Sequence, residues 1–345
     1  MSQAENLWLG ITPTGWSNSD MPQLGHEIPF EQCVSEMALV GYKGCQMGHK
    51  FPTDPEVLGQ KLARRDLVIS EPWTSTYFTY QTQVAKDQTI SNFRSQIQFI
   101  KDVYSESDQW KRERHQPLDK TLKATMVVAE LGYAVHQVPV DPLRNKPKFS
   151  DKKQWDAMIA GLNELGQIAK DKGMTLCYHP HVGTGVQSYE EINQLMQDTD
   201  PNLVHLLLDT GHFYYADESE NPDENLLKLV REYAIKQKRI RHVHLKNIRR
   251  DVLEKARGGN WSFFQAIKGQ QREAGVFTVP GDPVGAIDFR PILQILFDGG
   301  YEGWLVVEAE QDPSKACPLT YAQMAYKHLQ QVIHEYKPIR EAVAV

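Results

Sequence analysis

The chain alternates short β-type apolar runs with amphipathic helical stretches along its length, and this alternation constrains the fold more than any other property. Eight runs read as strands: Leu7 to Thr12, Tyr42 to Met47, Leu67 to Pro72, Ala124 to Glu130, Met174 to His179, Leu203 to Asp209, Ile240 to His244 and Gly303 to Glu308. Between them the helical period is plain. Trp155, Met158, Ile159, Leu162, Leu165 and Ala169 make one apolar stripe; Phe30, Val34, Met37 and Ala38 make another, with Glu31, Gln32, Ser35 and Glu36 on its outer face. Eight βα units without a Pro/Gly/Ser linker predict one α/β domain over residues 1–345, a closed (β/α)8 TIM barrel. A doubly wound sheet is the alternative, but no strand is followed by GxGxxG. Two stretches read as insertions that alter the barrel rim. One, near 104–123, is polar and charge-rich; the other, near 251–290, contains Gly258-Gly259 and VFTVPGDPVG and follows the seventh strand.

Charge and apolar run length narrow the partners. A net charge of -6 argues against a general nucleic-acid binder, because affinity for a polyphosphate comes mostly from Lys and Arg. No window approaches a membrane-spanning apolar run, and MSQAENLWLG lacks the basic and apolar regions of a leader. The four cysteines, Cys33, Cys45, Cys177 and Cys317, form no CxxC pair. A soluble, cytoplasmic protein in a reducing compartment is expected.

Barrel enzymes work at the C-terminal ends of their strands, so the side chains there are the informative ones. The fourth strand ends at Glu130. The fifth ends in YHPHVGTG with His179 and His181, and the sixth in LLLDTGH with Asp209 and His212. The seventh reads RHVHLKN, with His242, His244 and Lys246, and the eighth WLVVEAEQDP, with Glu308 and Glu310. A lone histidine or carboxylate at a strand end is commonly structural. Five consecutive strands ending this way converge on one opening, where histidines and carboxylates would meet without being near in sequence. Mixed nitrogen and oxygen donors suit Mn(II), Co(II) or Zn(II), and the lack of cysteine among them argues against structural zinc. Period-two alternation puts His179 with His181, His242 with His244, and Glu308 with Glu310, and does not choose within a pair.

These strand ends resemble those of the xylose-isomerase-like barrels, a superfamily that includes ketose 3-epimerases and metal-dependent apurinic endonucleases. Within it the chain is similar to the inosose dehydratases, which act on 2-keto-myo-inositol in bacterial inositol catabolism. The resemblance is carried by GWSNSDMP (15–22), FEQCVSEMALVGYKG (30–44), the GTGVQ after His181, DTGH (209–212), HVHLKNIR (242–249), GVFTVPGD (275–282), IDFRP (287–291) and WLVVEAEQDP (304–313). It implies a divalent metal, manganese or cobalt before zinc, held by His179, Asp209, His244 and Glu308. At the fifth strand the superfamily's glutamate is replaced by His179. Epimerases use glutamates on two substrate faces, and a metal-bound imidazole is a poor base, so the replacement leans towards a lyase.

The resemblance further implies a cyclitol or sugar substrate whose polarised ketone loses an α proton and a neighbouring hydroxyl. Glu310, His181, His212 and Lys246 are the acid/base candidates. Lys50, Glu130 and Gln46 are candidates for orienting substrate, and Trp16 and Trp73 for stacking on the ring. Barrels of this kind are often homo-oligomers, but no segment marks an interface. The family's GTEVGNKFP stands here as GCQMGHKFP, with Gln46 for Glu and His49 for Asn, which points to an altered polyol ketone. The competing expectations are an isomerase or epimerase, which would exchange solvent deuterium without losing water, and a non-enzymatic cyclitol-binding protein, which would need no metal. An apurinic endonuclease would need a basic DNA face that the charge does not provide.

Overall fold

The computed structural model describes residues 6–149 and 151–336. Its parallel strands are β1 Leu7–Ile11, β2 Gly44–Gln46, β3 Val68–Glu71, β4 Trp73–Thr76, β5 Thr125–Glu130, β6 Thr175–Tyr178, β7 Val204–Asp209, β8 Ile240–Leu245 and, after a short antiparallel pair β9 Asn247–Ile248 and β10 Phe277–Thr278, β11 Gly303–Val307. The sheet order is β3-β2-β1-β11-β8-β7-β6-β5-β4. Its first and last strands are consecutive in the chain, separated only by Pro72. Proline has no N–H to give the ladder. The third strand therefore breaks there, β3 pairing with β2 and β4 with β5, and the nine segments form an eight-stranded barrel closed through Pro72. The sequence expectation ended this strand at Pro72; the chain stays extended to Thr76.

Alternation divides each strand between two cores. Met126, Val128, Leu176, Leu206 and Leu208 belong to the large cluster that includes residues of the outer helices, while Val127, Cys177 and Leu207 form a small separate one with Trp73 against it. The second set has the parity of Ala129, His179 and Asp209, and so lies directly beneath the strand-end groups. Further down, Trp304 fills the barrel floor. A Cβ at Gly44 would fall 2.4 Å from its ring, so only glycine fits there.

The two stretches expected at the rim lie on opposite sides. The 104–123 segment starts within a helix, Gln83–Glu113, and then returns to β5 at the N-terminal face; Lys123 O accepts from Trp304 Nε1 at 2.8 Å. This corrects the expectation that it alters the rim. The 251–290 stretch does stand over the strand ends, where Phe263 and Phe277 pack beside the histidines. Among the described residues no helix is long and apolar enough to cross a membrane.

Candidate metal centre

At the C-terminal mouth of the barrel, potential ligand atoms of His179, Asp209, His244 and Glu308 lie within 4.8 Å of one another, all buried. His179 follows directly on β6, and its N–H is held by Val128 O, which continues the strand one residue. Asp209 ends β7 and caps the helix that follows, its Oδ1 accepting from His212 N at 2.8 Å. Its other oxygen, Oδ2, faces His179 Nε2 at 3.5 Å and His244 Nδ1 at 3.6 Å. Glu308 Oε2 stands 2.8 Å from His244 Nδ1. Among the described residues, Asp209 Oδ2 and His179 Nδ1 are buried polar atoms without a hydrogen-bond partner. Buried polar groups are almost always paired, so a carboxylate oxygen that faces two imidazoles, and the Lys246 ammonium at 3.4 Å, without a hydrogen bond to any of them fits a cation site. The donor set of two nitrogens and two carboxylates suits a divalent first-row metal.

A second group stands beside it. Ligand-type atoms of His181, His212 and Glu310 also lie within 4.8 Å of one another. Their contacts fix the tautomers. His181 Nδ1 is 2.8 Å from Val182 O, so it must donate, which leaves the Nε2 lone pair free. His212 Nδ1 accepts from Val182 N at 3.3 Å, which puts its proton on Nε2, 3.6 Å from Glu310 Oε2. Lys246, fully buried, donates to the same Glu310 oxygen at 2.9 Å and stands 3.1 Å from Glu308 and 3.4 Å from Asp209. Its stem crosses Gly211, where a Cβ would be 2.4 Å away. Burial, reinforced by the Glu308 charge, pushes the Glu310 carboxyl up to about 7 against the pull of Lys246. Burial and neighbouring positive groups hold the His181 and His212 imidazoles well below their usual range. Carboxyl and imidazole are thus driven in opposite directions, as acid and base pairs are.

A cavity of about 410 Å3 opens onto these groups; His179, His181, Glu308, Glu310, Trp73 and Gln46 are on its wall. Trp73 presents its ring edge-on to His179 and His181. His212 and Lys246 lie behind Glu310, off the wall.

Three of the expected substrate residues are elsewhere. Glu130 has the parity of Val128 and faces away from the barrel interior. Its oxygens accept from Thr76 Oγ1, Phe78 N, Thr79 N, Thr79 Oγ1 and Gly132 N, so it clamps the turn after β4 and has no capacity left for a ligand. Lys50 spends all three ammonium protons on the carbonyls of Gly25, His26 and Ile28. Trp16 is 1% exposed within the core, its Nε1 donating to Glu36 at 2.6 Å. Other residues take their place: Asn18, Asp20 and His136 line the cavity, with Asn18 Nδ2 and His136 Nδ1 buried and unpartnered among the described residues. Glu71, the last residue of β3, reaches His244 Nε2 from below at 3.2 Å. It closes an apolar run as Glu308 does, and the same strand-end rule, applied to the third strand, finds it.

A barrel closed by eight parallel strands, with a histidine and carboxylate centre at its C-terminal mouth, defines a class of metal-site barrels. The chain belongs to the xylose isomerase-like TIM barrel family, whose model matches residues 34–333. Within that family it falls with the inosose dehydratases. It is 41% identical over 331 residues to the inosose dehydratase of Geobacillus thermodenitrificans (strain NG80-2), covering 96% of this chain and 99% of the relative. It is 42% identical over 322 residues to that of Clostridium botulinum (strain Alaska E43 / Type E3), covering 93% and 96%. Among solved structures, the IOLI protein with a bound zinc atom superposes with a TM-score of 0.61 at 16% identity, over 96% of this chain and 99% of that one.

Proposed function

We propose that this chain is a metal-dependent hydro-lyase that removes water from 2-keto-myo-inositol, giving a trihydroxycyclohexane-dione in inositol catabolism. The observation that carries the reading is the meeting, at one cavity, of a two-nitrogen, two-carboxylate donor set with an imidazole and a carboxyl whose proton affinities are driven apart. The inosose dehydratases aligned over nearly the whole chain support the substrate class. His179, Asp209, His244 and Glu308 are the proposed ligands. Their mixed donor set suits manganese, cobalt or zinc; the family resemblance puts manganese or cobalt first, and zinc is the ion of the IOLI structure.

When bound, a divalent cation polarises a substrate carbonyl and stabilises the negative charge that develops on its oxygen. The protein's own groups carry the protons. His181 Nε2, neutral and with its lone pair free, takes the proton from the carbon next to the ketone. Glu310, in the protonated form that burial favours, gives its proton to the hydroxyl on the following carbon, which departs as water. Ligand-type atoms of the two groups lie within 4.8 Å, a gap that one water can bridge to carry the proton gained by His181 back to Glu310 and reset both groups. Lys246 and His212 hold the Glu310 carboxylate from behind. Asn18, Gln46 and Trp73 bind the rest of the ring.

The experiment is direct. Metal-reconstituted protein given 2-keto-myo-inositol should develop the ultraviolet absorbance of an enolised dione. Metal-loaded protein that exchanges substrate protons with deuterated water but forms no dione would favour an epimerase and refute the dehydratase reading.

A further inference from the structure

His244 can serve a cation only if its Nδ1 carries a lone pair and its proton sits on Nε2, and a neutral imidazole does not choose between its nitrogens unaided. Beneath the proposed ligand set, Glu71 Oε1 lies 3.2 Å from His244 Nε2. A carboxylate only accepts hydrogen bonds, so this contact places a proton on Nε2; the proton on Nδ1 that faces Glu308 Oε2 at 2.8 Å is the one a cation would displace. The other Glu71 oxygen, Oε2, stands 3.4 Å from His242 Nε2, the second histidine of β8. Glu71 and both histidines are fully buried, with side-chain exposures of 0%. Among the described residues no lysine or arginine is paired with Glu71, and two imidazoles flank this buried carboxylate. Neither Glu71 nor His242 lines the cavity.

Building on the proposed ligand set, we infer that Glu71 is the positioning residue of the centre: it fixes the His244 tautomer and ring orientation so that Nδ1 meets the cation alongside Asp209 and Glu308. The second Glu71 oxygen faces His242 Nε2 at 3.4 Å, a charge contact without a hydrogen bond. This separates the two strand-end histidines. His244 stands at the cation and His242 beneath it, bridged by one carboxylate. The backbone supports the arrangement, since Glu71 precedes Pro72 and is thereby confined to extended geometry.

The test is cation affinity, measured by chelator competition with Mn(II) and Co(II) on the full-length protein. Loss of a carboxylate that orients a ligating histidine costs about 10- to 100-fold in metal affinity. Glu71→Gln, whose amide has one acceptor oxygen in place of two, is expected to weaken binding by that factor while still saturating at the wild-type number of ions. The d–d bands of its Co(II) form should shift as the His244 donor changes. Glu71→Asp keeps both acceptor oxygens and is expected to bind more tightly than Glu71→Gln. Unchanged affinity and spectrum in Glu71→Gln would overturn the inference. So would a wild type holding two ions of which Glu71→Gln keeps one, since Glu71 would then be a ligand itself. Asp209→Ala, measured alongside, separates the two levels. If it loses the ion while Glu71→Gln binds as wild type, only the inference fails; if Asp209→Ala also binds as wild type, the ligand set fails and the inference with it.

Discussion

Lys246→Met tests how the charges of the centre are balanced. The ammonium is wholly buried and lies within 3.4 Å of carboxylates from Asp209, Glu308 and Glu310. Methionine keeps much of the stem but removes the charge, leaving these carboxylates with only imidazoles. Removing one partner of a buried ion pair costs about 3–5 kcal/mol. At roughly 2.1 cal/mol/K per residue, the unfolding entropy of 345 residues is about 0.7 kcal/mol/K, so the metal-free variant should melt about 4–7 °C lower. Saturating Mn(II) should shrink the difference, because the cation compensates Asp209 and Glu308. The pH profile should move as well. Lys246 lowers the Glu310 pKa, which burial holds at about 7, and a bound cation lowers it further. With Glu310 as the proposed acid, activity should fall as pH rises through its pKa. Without Lys246 that fall should move to higher pH. Differential scanning calorimetry with and without metal, and kcat/KM against pH, read the two effects. A metal-free melting temperature within about 1 °C of wild type, or a descending limb displaced to lower pH, would refute the reasoning.

Three further outcomes are expected. His181→Gln should lower kcat by about 10²- to 10⁴-fold, the usual contribution of a general base, with metal content unchanged by elemental analysis. Asn18→Ala should raise KM and leave kcat and bound metal near wild type, because Asn18 lines the cavity and its Nδ2 has no hydrogen-bond partner among the described residues. Glu130→Ala should destabilise the fold by on the order of 3 kcal/mol, read by denaturant titration, since it strands several buried donors; folded variant should keep its KM.

Much of the centre was legible because strand ends in a closed barrel converge whatever their separation in sequence. The strand count alone brings the ends of four neighbouring strands to one mouth, while the choice of His179, His244 and Glu308 within their pairs is what the family resemblance implies. Glu130 shows where that logic stops. It ends a strand as they do, but it is one residue out of phase with Val127 and Ala129, and a single residue of parity turns a side chain from the barrel interior to the helix layer. Glu71 closes its apolar run as the others do, but it lies outside the five consecutive strand ends whose coincidence is the signal, and a lone carboxylate at a strand end is commonly structural. Lys50 and Trp16 sit in loops, where no period fixes the direction of a side chain. The 104–123 stretch is charge-rich because it begins as the solvated end of a long helix, and composition alone does not say at which end of a barrel a helix terminates.

Bound metal in Asp209→Ala tests the central claim most directly. Asp209 Oδ2 faces both His179 Nε2 and His244 Nδ1, so its removal takes away the donor next to both imidazoles. After reconstitution with Mn(II) and desalting, elemental analysis should find the ion in wild type and little or none in the variant, with dehydration of 2-keto-myo-inositol lost in parallel. A folded Asp209→Ala protein that retains the wild-type metal content would contradict the ligand set on which the account rests.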